Sequence, residues 1–210
     1  MAQFFVVHAE SPQPRLIRQA AAMVREGAVI AYPTDSCYAL GCHLGDKDAV
    51  ARIRRIRGVD EDHFMTLMCR DLSELARYAR VDNVQFRLLK NNTPGSYTFI
   101  LEATREVPRR LQHPKRSTVG IRIPDHPVAL ALLAELGEPL LSSTLILPDE
   151  QQALNDAEEI RDRLDRQLDL VLDGGAVGVE PTTVIDLTTD TPVLIRLGKG
   201  EIAHFGITES

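Results

Sequence analysis

Two stretches place hydroxyl side chains next to strand-like apolar runs. One is Tyr32-Pro33-Thr34-Asp35-Ser36-Cys37-Tyr38-Ala39-Leu40-Gly41; the other is Pro181-Thr182-Thr183-Val184-Ile185-Asp186. Thr and Ser hydroxyls both donate and accept hydrogen bonds, so they suit carboxylates and phosphates. Thr34-Asp35-Ser36 directly follows a strand-like run, the position where open α/β sheets hold ligands. A Pro-initiated turn closed by an Asx bond explains the same residues without a ligand, and Thr182-Thr183 also reads as the start of a strand. Ser142-Ser143-Thr144 interrupts a third apolar run, either facing a ligand or bonding to backbone. Tyr38, taken alone, reads as core.

The arginines supply the complementary charge. Arg52, Arg54, Arg55 and Arg57 crowd one predicted helix end, either as a solvated basic face that complements the helix dipole or as a phosphate clamp with Arg57 nearest the loop. Arg122 shares a strand face with Thr118 and Gly120, opposite Val119, Ile121 and Ile123. A guanidinium there needs a buried acid or an anionic ligand. Arg196 ends a predicted strand just before Gly198-Lys199-Gly200. Of the six histidines, His63 and His126 fall in loops near these basic positions. No spacing argues for a Ser-His-Asp or Cys-His arrangement, and there is neither a P-loop nor a GxGxxG.

The elements that must position these groups mix helix and strand along the chain. Helices are expected from Ser11-Pro12 to about Glu26 (apolar stripe Leu16, Ala20, Met23, Val24), after Asp46, Asp71 and Asp82, from Pro127 to near Gly137, and after Asp156 with Ile160, Leu164 and Leu168 in register. Strands are expected at 28–32, 66–69, 97–103, 118–123, 140–147, 168–172, 183–187 and 193–196. This pattern is an α/β domain around a twisted, mixed sheet, without strict βαβ alternation. Residues after Gly206 are expected to fray.

The 210 residues fit one domain with a full core. Hydrophobic residues at 44% and charged residues at 26% are ordinary for a globular chain, and a net charge of −6 argues against a surface coated in positive charge while allowing a local basic cleft. Cys37, Cys42 and Cys69 are odd in number and lack framework spacing, which points to reduced thiols in a cytoplasmic protein rather than a disulfide scaffold or a Cys/His zinc site. No apolar run approaches a membrane span.

In order along the chain, several segments resemble the YrdC/YciO family, which includes the threonylcarbamoyl-adenylate synthases. The stretch 32–41 is similar to that family's YPTDTxYGLG, Pro94-Gly95-Ser96-Tyr97-Thr98 to PGPxT, and Gly120-Ile121-Arg122-Ile123-Pro124-Asp125-His126-Pro127 to GxRxPxHP. Pro181–Asp186 is similar to PSTVVD and Ile195-Arg196-Leu197-Gly198 to IxRxG. The resemblance covers nearly all of residues 14–200.

It implies a YrdC-like single domain, with flanking helices and a sheet around a concave, positively lined cavity. It further implies binding of ATP (with Mg²⁺), L-threonine and bicarbonate, and formation of threonylcarbamoyl-AMP for tRNA modification without a protein nucleophile. Thr34, Ser36, Tyr38, Arg122 and Thr182 would face the amino acid. Arg57, His63, Thr98, Ser143 and Arg196 would face the nucleotide. Two family patterns are altered. KxRxxxK becomes Arg57-Gly58-Val59-Asp60-Glu61-Asp62-His63, and SANxSG becomes Ser143-Thr144-Leu145-Ile146-Leu147-Pro148. These changes resemble the YciO branch. They leave open a noncatalytic paralogue that binds a nucleotide, tRNA or double-stranded RNA.

Overall fold

In the computed structural model, residues 1–60, 63, 65–113 and 115–207 are described. Glu61 and Asp62 of the Arg57–His63 stretch lie outside them, as does the chain end from residue 208, which covers most of the tail expected to fray. Among the described residues ten strands form one sheet: β1 (Gln3–Val6), β2 (Ile30–Tyr32), β3 (Ala39–His43), β4 (Thr66–Met68), β5 (Tyr97–Glu102), β6 (Thr118–Arg122), β7 (Leu140–Thr144), β8 (Leu170–Asp173), β9 (Thr183–Asp186) and β10 (Val193–Arg196). Six helices flank it: α1 (Pro14–Arg25), α2 (Lys47–Arg57), α3 (Leu72–Tyr78), α4 (Asn83–Asn92), α5 (Pro127–Leu136) and α6 (Ala157–Leu164). The strand order is β1-β8-β2-β3-β7-β4-β6-β5-β9-β10. β1–β8, β2–β8, β4–β6 and β5–β9 pair in parallel and the remaining neighbours antiparallel, so the sheet is mixed.

Strand alternation sorts the side chains into two cores. Val29, Ala31, Leu67, Val119, Ile121, Phe99 and Ile185 join one cluster with Val50 and Ile53 of α2 and Ile160 of α6. Ile30, Tyr32, Leu140 and Leu172 join the other, under Ile17, Ala20 and Val24 of α1 and Val128 and Leu132 of α5. The cavity opens on this second face. There α1 and α5 pack together over the β8-β2-β3 half. Across β4, β6, β5 and β9 the same face instead carries Thr66, Thr118, Gly120, Arg122, Thr98 and Val184, all turned to an open hollow.

Local signals account for most element boundaries. Asp46, Asp71, Asp82 and Asp156 each accept a bond from a first-turn amide of the helix they precede, and Asp82 with Gln85 completes a reciprocal capping box. Other boundaries differ from expectation. α1 starts at Pro14, because Ser11 is engaged by His8 Nδ1 through both its amide and its hydroxyl. Its buried stripe is Ile17, Ala20, Ala21 and Val24, leaving Leu16 and Met23 half-buried. β7 stops at Thr144 because Leu145 N turns to Tyr38 O and Ile146 N to Thr144 O. α6 ends at Leu164, so Leu168 packs from the following loop. β1 and β3 were not expected at all. No described helix is long and apolar enough to cross a membrane.

Candidate active site

The hollow has a volume of about 1010 Å³. Thr34, Ser36, Arg122 and Thr182 of the expected amino-acid set line it, together with Arg57, His63, Thr98, Ser143 and Arg196 of the expected nucleotide set. Tyr38 does not. Its ring is fully buried and its hydroxyl donates to Gly175 O at 2.9 Å, so the group is spent on backbone and its expected ligand contact is corrected to a packing role.

Asp35 organises the floor. Its carboxylate accepts from Arg122 Nη2 at 2.5 Å, Ser96 Oγ at 2.5 Å and Asp125 N at 3.0 Å. The side chains of Arg122 and Asp35 are only 7% and 10% exposed. Burial pushes the Asp35 carboxyl up, but Arg122 and the donated bonds outweigh it and hold it below the ordinary carboxylate range. Both alternatives for Arg122 therefore bear on one residue. It has its buried acid, yet its Nε is buried with no partner while the side chain lines the cavity.

The turn after β2 is closed by Thr34 rather than by an Asx bond from Asp35. Thr34 Oγ1 donates to Cys37 O at 2.6 Å and accepts from Ser36 N and Cys37 N. That leaves the Ser36 hydroxyl as the adaptable one. It accepts from Arg122 Nη1 at 3.1 Å, and its own hydrogen can swing from Thr34 to a ligand. Thr98 of β5 and Thr182, the residue just before the parallel strand β9, share a hydrogen bond at 2.8 Å, which leaves one of the two hydrogens for the cavity.

Arg57 leaves the end of α2 and donates to Ser143 Oγ at 3.2 Å and to Ile146 O. Arg196 at the end of β10 donates to Thr182 O at 3.0 Å. Neither forms a salt bridge among the described residues, and burial lowers the pKa of both from the ordinary arginine value. Only Gly fits at position 198, because a Cβ there would lie 2.3 Å from Pro181 O. His63 is half-buried beside them. Burial, then Arg57, favours its neutral form. The other helix-end arginines stand elsewhere: Arg52 pairs with Asp169 at 2.9 Å, and neither Arg54 nor Arg55 lines the hollow. His126 caps α5 through Nδ1 and also stays outside it.

Sequence reasoning missed Arg116 and His113 on the wall. They sit in a turn with no periodicity, pinned where Lys115 N and Arg116 N donate to His113 Nδ1 and where Ser117 takes a left-handed φ of 53°. The three cysteines are free and buried, and burial pushes Cys42 up to about 12. Among the described residues no group of three His, Cys, Asp or Glu side chains is placed to hold a metal ion. The polar groups that the lining offers are chiefly guanidinium groups and hydroxyls, which suit anions.

Known proteins carry the same architecture. The family profile Sua5/YciO/YrdC, described as "Telomere recombination", matches residues 22–198. Escherichia coli K12 YciO is 59% identical over 205 residues, covering 98% of this chain and all of that one; its crystal structure superposes with a TM-score of 0.94. The threonylcarbamoyl-AMP synthase of Bacillus subtilis is 35% identical over 87% of this chain but only 53% of its own length. The crystal structure of P. abyssi Sua5 complexed with L-threonine is 29% identical with a TM-score of 0.85, covering 93% of this chain and 57% of that one. From the ordered motifs, the shared fold and these matches together, the chain belongs to the Sua5/YciO/YrdC family.

Proposed function

We propose that the cavity binds ATP and L-threonine in the manner of a threonylcarbamoyl-AMP synthase, acting on ATP, L-threonine and bicarbonate in the service of tRNA modification. The observation that carries this reading is convergence. Arg57, Arg122 and Arg196, from α2, β6 and β10, meet in one hollow bordered by the hydroxyls of both motif stretches. Its volume, about 1010 Å³, is at the large end for small-molecule sites and suits two substrates at once.

In this reading the threonine amine bonds to the carbon of bicarbonate as a C–O bond breaks and water leaves, giving a carbamate. The carbamate oxygen forms a bond to the α-phosphorus as the bond to pyrophosphate breaks. Arg122 offers its unpartnered Nε to the small anion, with its fork held by Asp35 and Ser36. Arg57 and Arg196 are already oriented by neutral acceptors, so they face phosphate with charge unspent. Mg²⁺ enters as part of the Mg–ATP substrate and supplies charge neutralisation on the phosphates.

Incubation with ATP, L-threonine and bicarbonate is expected to release pyrophosphate, followed against a control without threonine. Threonine-independent or absent release refutes the synthase reading. One observation favours binding without turnover: Leu145, which occupies the position of the family's asparagine, is 0% exposed in the core and offers the cavity nothing polar. On that second reading pyrophosphate release is absent, and RNA binding weakens steeply with salt and is lost in the Arg55→Ala, Arg57→Ala double variant.

A further inference from the structure

His63 lines the hollow together with Arg57 and Arg196. Its amide donates to Asp60 O at 3.3 Å, a short way beyond the end of α2. Asp60 shares the same wall of the hollow. Among the described residues the charges of Arg57, Arg54 and Arg196 oppose protonation of His63 and that of Asp60 favours it. Among the described residues the remaining charged or titratable groups on the wall are Cys37, Arg116, His113, Arg122 and Asp186; burial pushes the Cys37 thiol up, and Asp186 is engaged by the amide and hydroxyl of Thr188 at 2.8 and 2.6 Å. An imidazole half-buried against guanidinium groups has every electrostatic reason to stay neutral while the hollow holds no anion. A phosphate seated between Arg57 and Arg196 reverses that local field, because its negative charge offsets both guanidinium groups on the wall that the ring shares. The ring gains from protonation, and as imidazolium both of its nitrogens donate.

Resting on the nucleotide reading above, we infer that His63 is a proton-dependent phosphate ligand. It is neutral in the free protein and takes one proton from solvent as the nucleotide's phosphates seat against Arg57 and Arg196. The balance is simple: one proton leaves the buffer, one imidazole becomes imidazolium, and no bond to phosphorus changes. The affinity for phosphate is thereby coupled to pH in the physiological range. That coupling separates His63 from Arg57 and Arg196, whose charge is constant there.

Calorimetric titration of the whole protein with Mg–ATP, repeated in buffers of different ionisation enthalpy near about pH 7, reads the protons taken up per ligand. The expected result is net uptake of up to one proton. Affinity should fall as pH rises from about 6.5 to 8.5, by no more than tenfold per unit for one linked proton. His63→Gln should bind Mg–ATP more weakly at low pH and remove the difference in uptake and slope. His63→Lys should bind with a flat profile. The imidazole Cε1 proton resonance of His63 should titrate below the ordinary histidine range in the free protein and above its free-protein value with ligand. Mg–ATP binding by the wild type with no proton uptake, or with the same slope in His63→Gln, overturns the inference and leaves the nucleotide reading standing. A wild type that binds no Mg–ATP at any of these pH values overturns both.

Discussion

Removing Asp35 should expose how much of the cavity floor depends on one ion pair. In Asp35→Ala, Arg122 keeps its buried position and its bond to Ser36 but loses its counter-charge, and Ser96 Oγ and Asp125 N lose their acceptor. Breaking a buried pair by deleting one partner costs about 3–5 kcal/mol. At roughly 2–4 °C per kcal/mol for a domain of this size, the melting temperature should drop by about 6–20 °C. The pair has a defined pH signature. Asp35 is held below its unfolded value, so the stability it contributes is fully present above about pH 4, the unfolded aspartate value, and is lost as pH falls through the lower folded value. The gap between wild type and Asp35→Ala should therefore be constant from pH 5 to 8 on the order of measurement error and close only under more acid conditions. Adding Arg122→Met to Asp35→Ala removes the orphaned charge and should restore much of the loss, while L-threonine binding disappears. Urea denaturation of the four proteins in the cycle reads the coupling. A single variant within about 1 kcal/mol of wild type, or strictly additive effects, would refute the argument that Asp35 and Arg122 form one unit.

Two further outcomes follow from packing. Leu145→Asn, which reinstates the family's residue, should cost about 3 kcal/mol or more in urea denaturation and leave Mg–ATP affinity unimproved, because the side chain is buried in the core and an amide there is unsatisfied. Gly198→Ala should lower the melting temperature and weaken Mg–ATP binding together. Its Cβ would press on the Pro181 carbonyl and on Thr182, the backbone that holds Arg196, and backbone cannot yield as a flexible side chain does. A variant with wild-type melting temperature and affinity would show that this approach is looser than the geometry requires.

The parts of the site that follow a period were legible in the sequence. β5 and β6 alternate, and that alternation alone put Thr98 opposite Phe99 and Arg122 on the face of Thr118 and Gly120. Aspartate caps marked the starts of α2 and α4, and a glycine marked the end of α5, because these are local features. What depended on distant partners was not legible. β3 reads Ala-Leu-Gly-Cys-His, buried on both faces and without a pattern, and it is a strand because β2 and β7 flank it. β1 is four residues held by β8 alone. The commitment of Tyr38 to Gly175, and of Asp35 to Arg122, lies in contacts across more than 80 positions, and Arg116 reaches the wall only through a non-periodic turn.

The parallel pairing of β5 with β9 has a consequence for how the hollow comes into being. Thr98 and Thr182 meet only when chain segments 84 positions apart have joined, and β10 can bring Arg196 only after β9 is docked. Closing a loop of that length is among the slower and entropically costlier events available to a chain. Recognition capacity should thus mature at the end of folding, after both cores have condensed, and a nascent polypeptide still lacking its last two strands would own a sheet but no receptor.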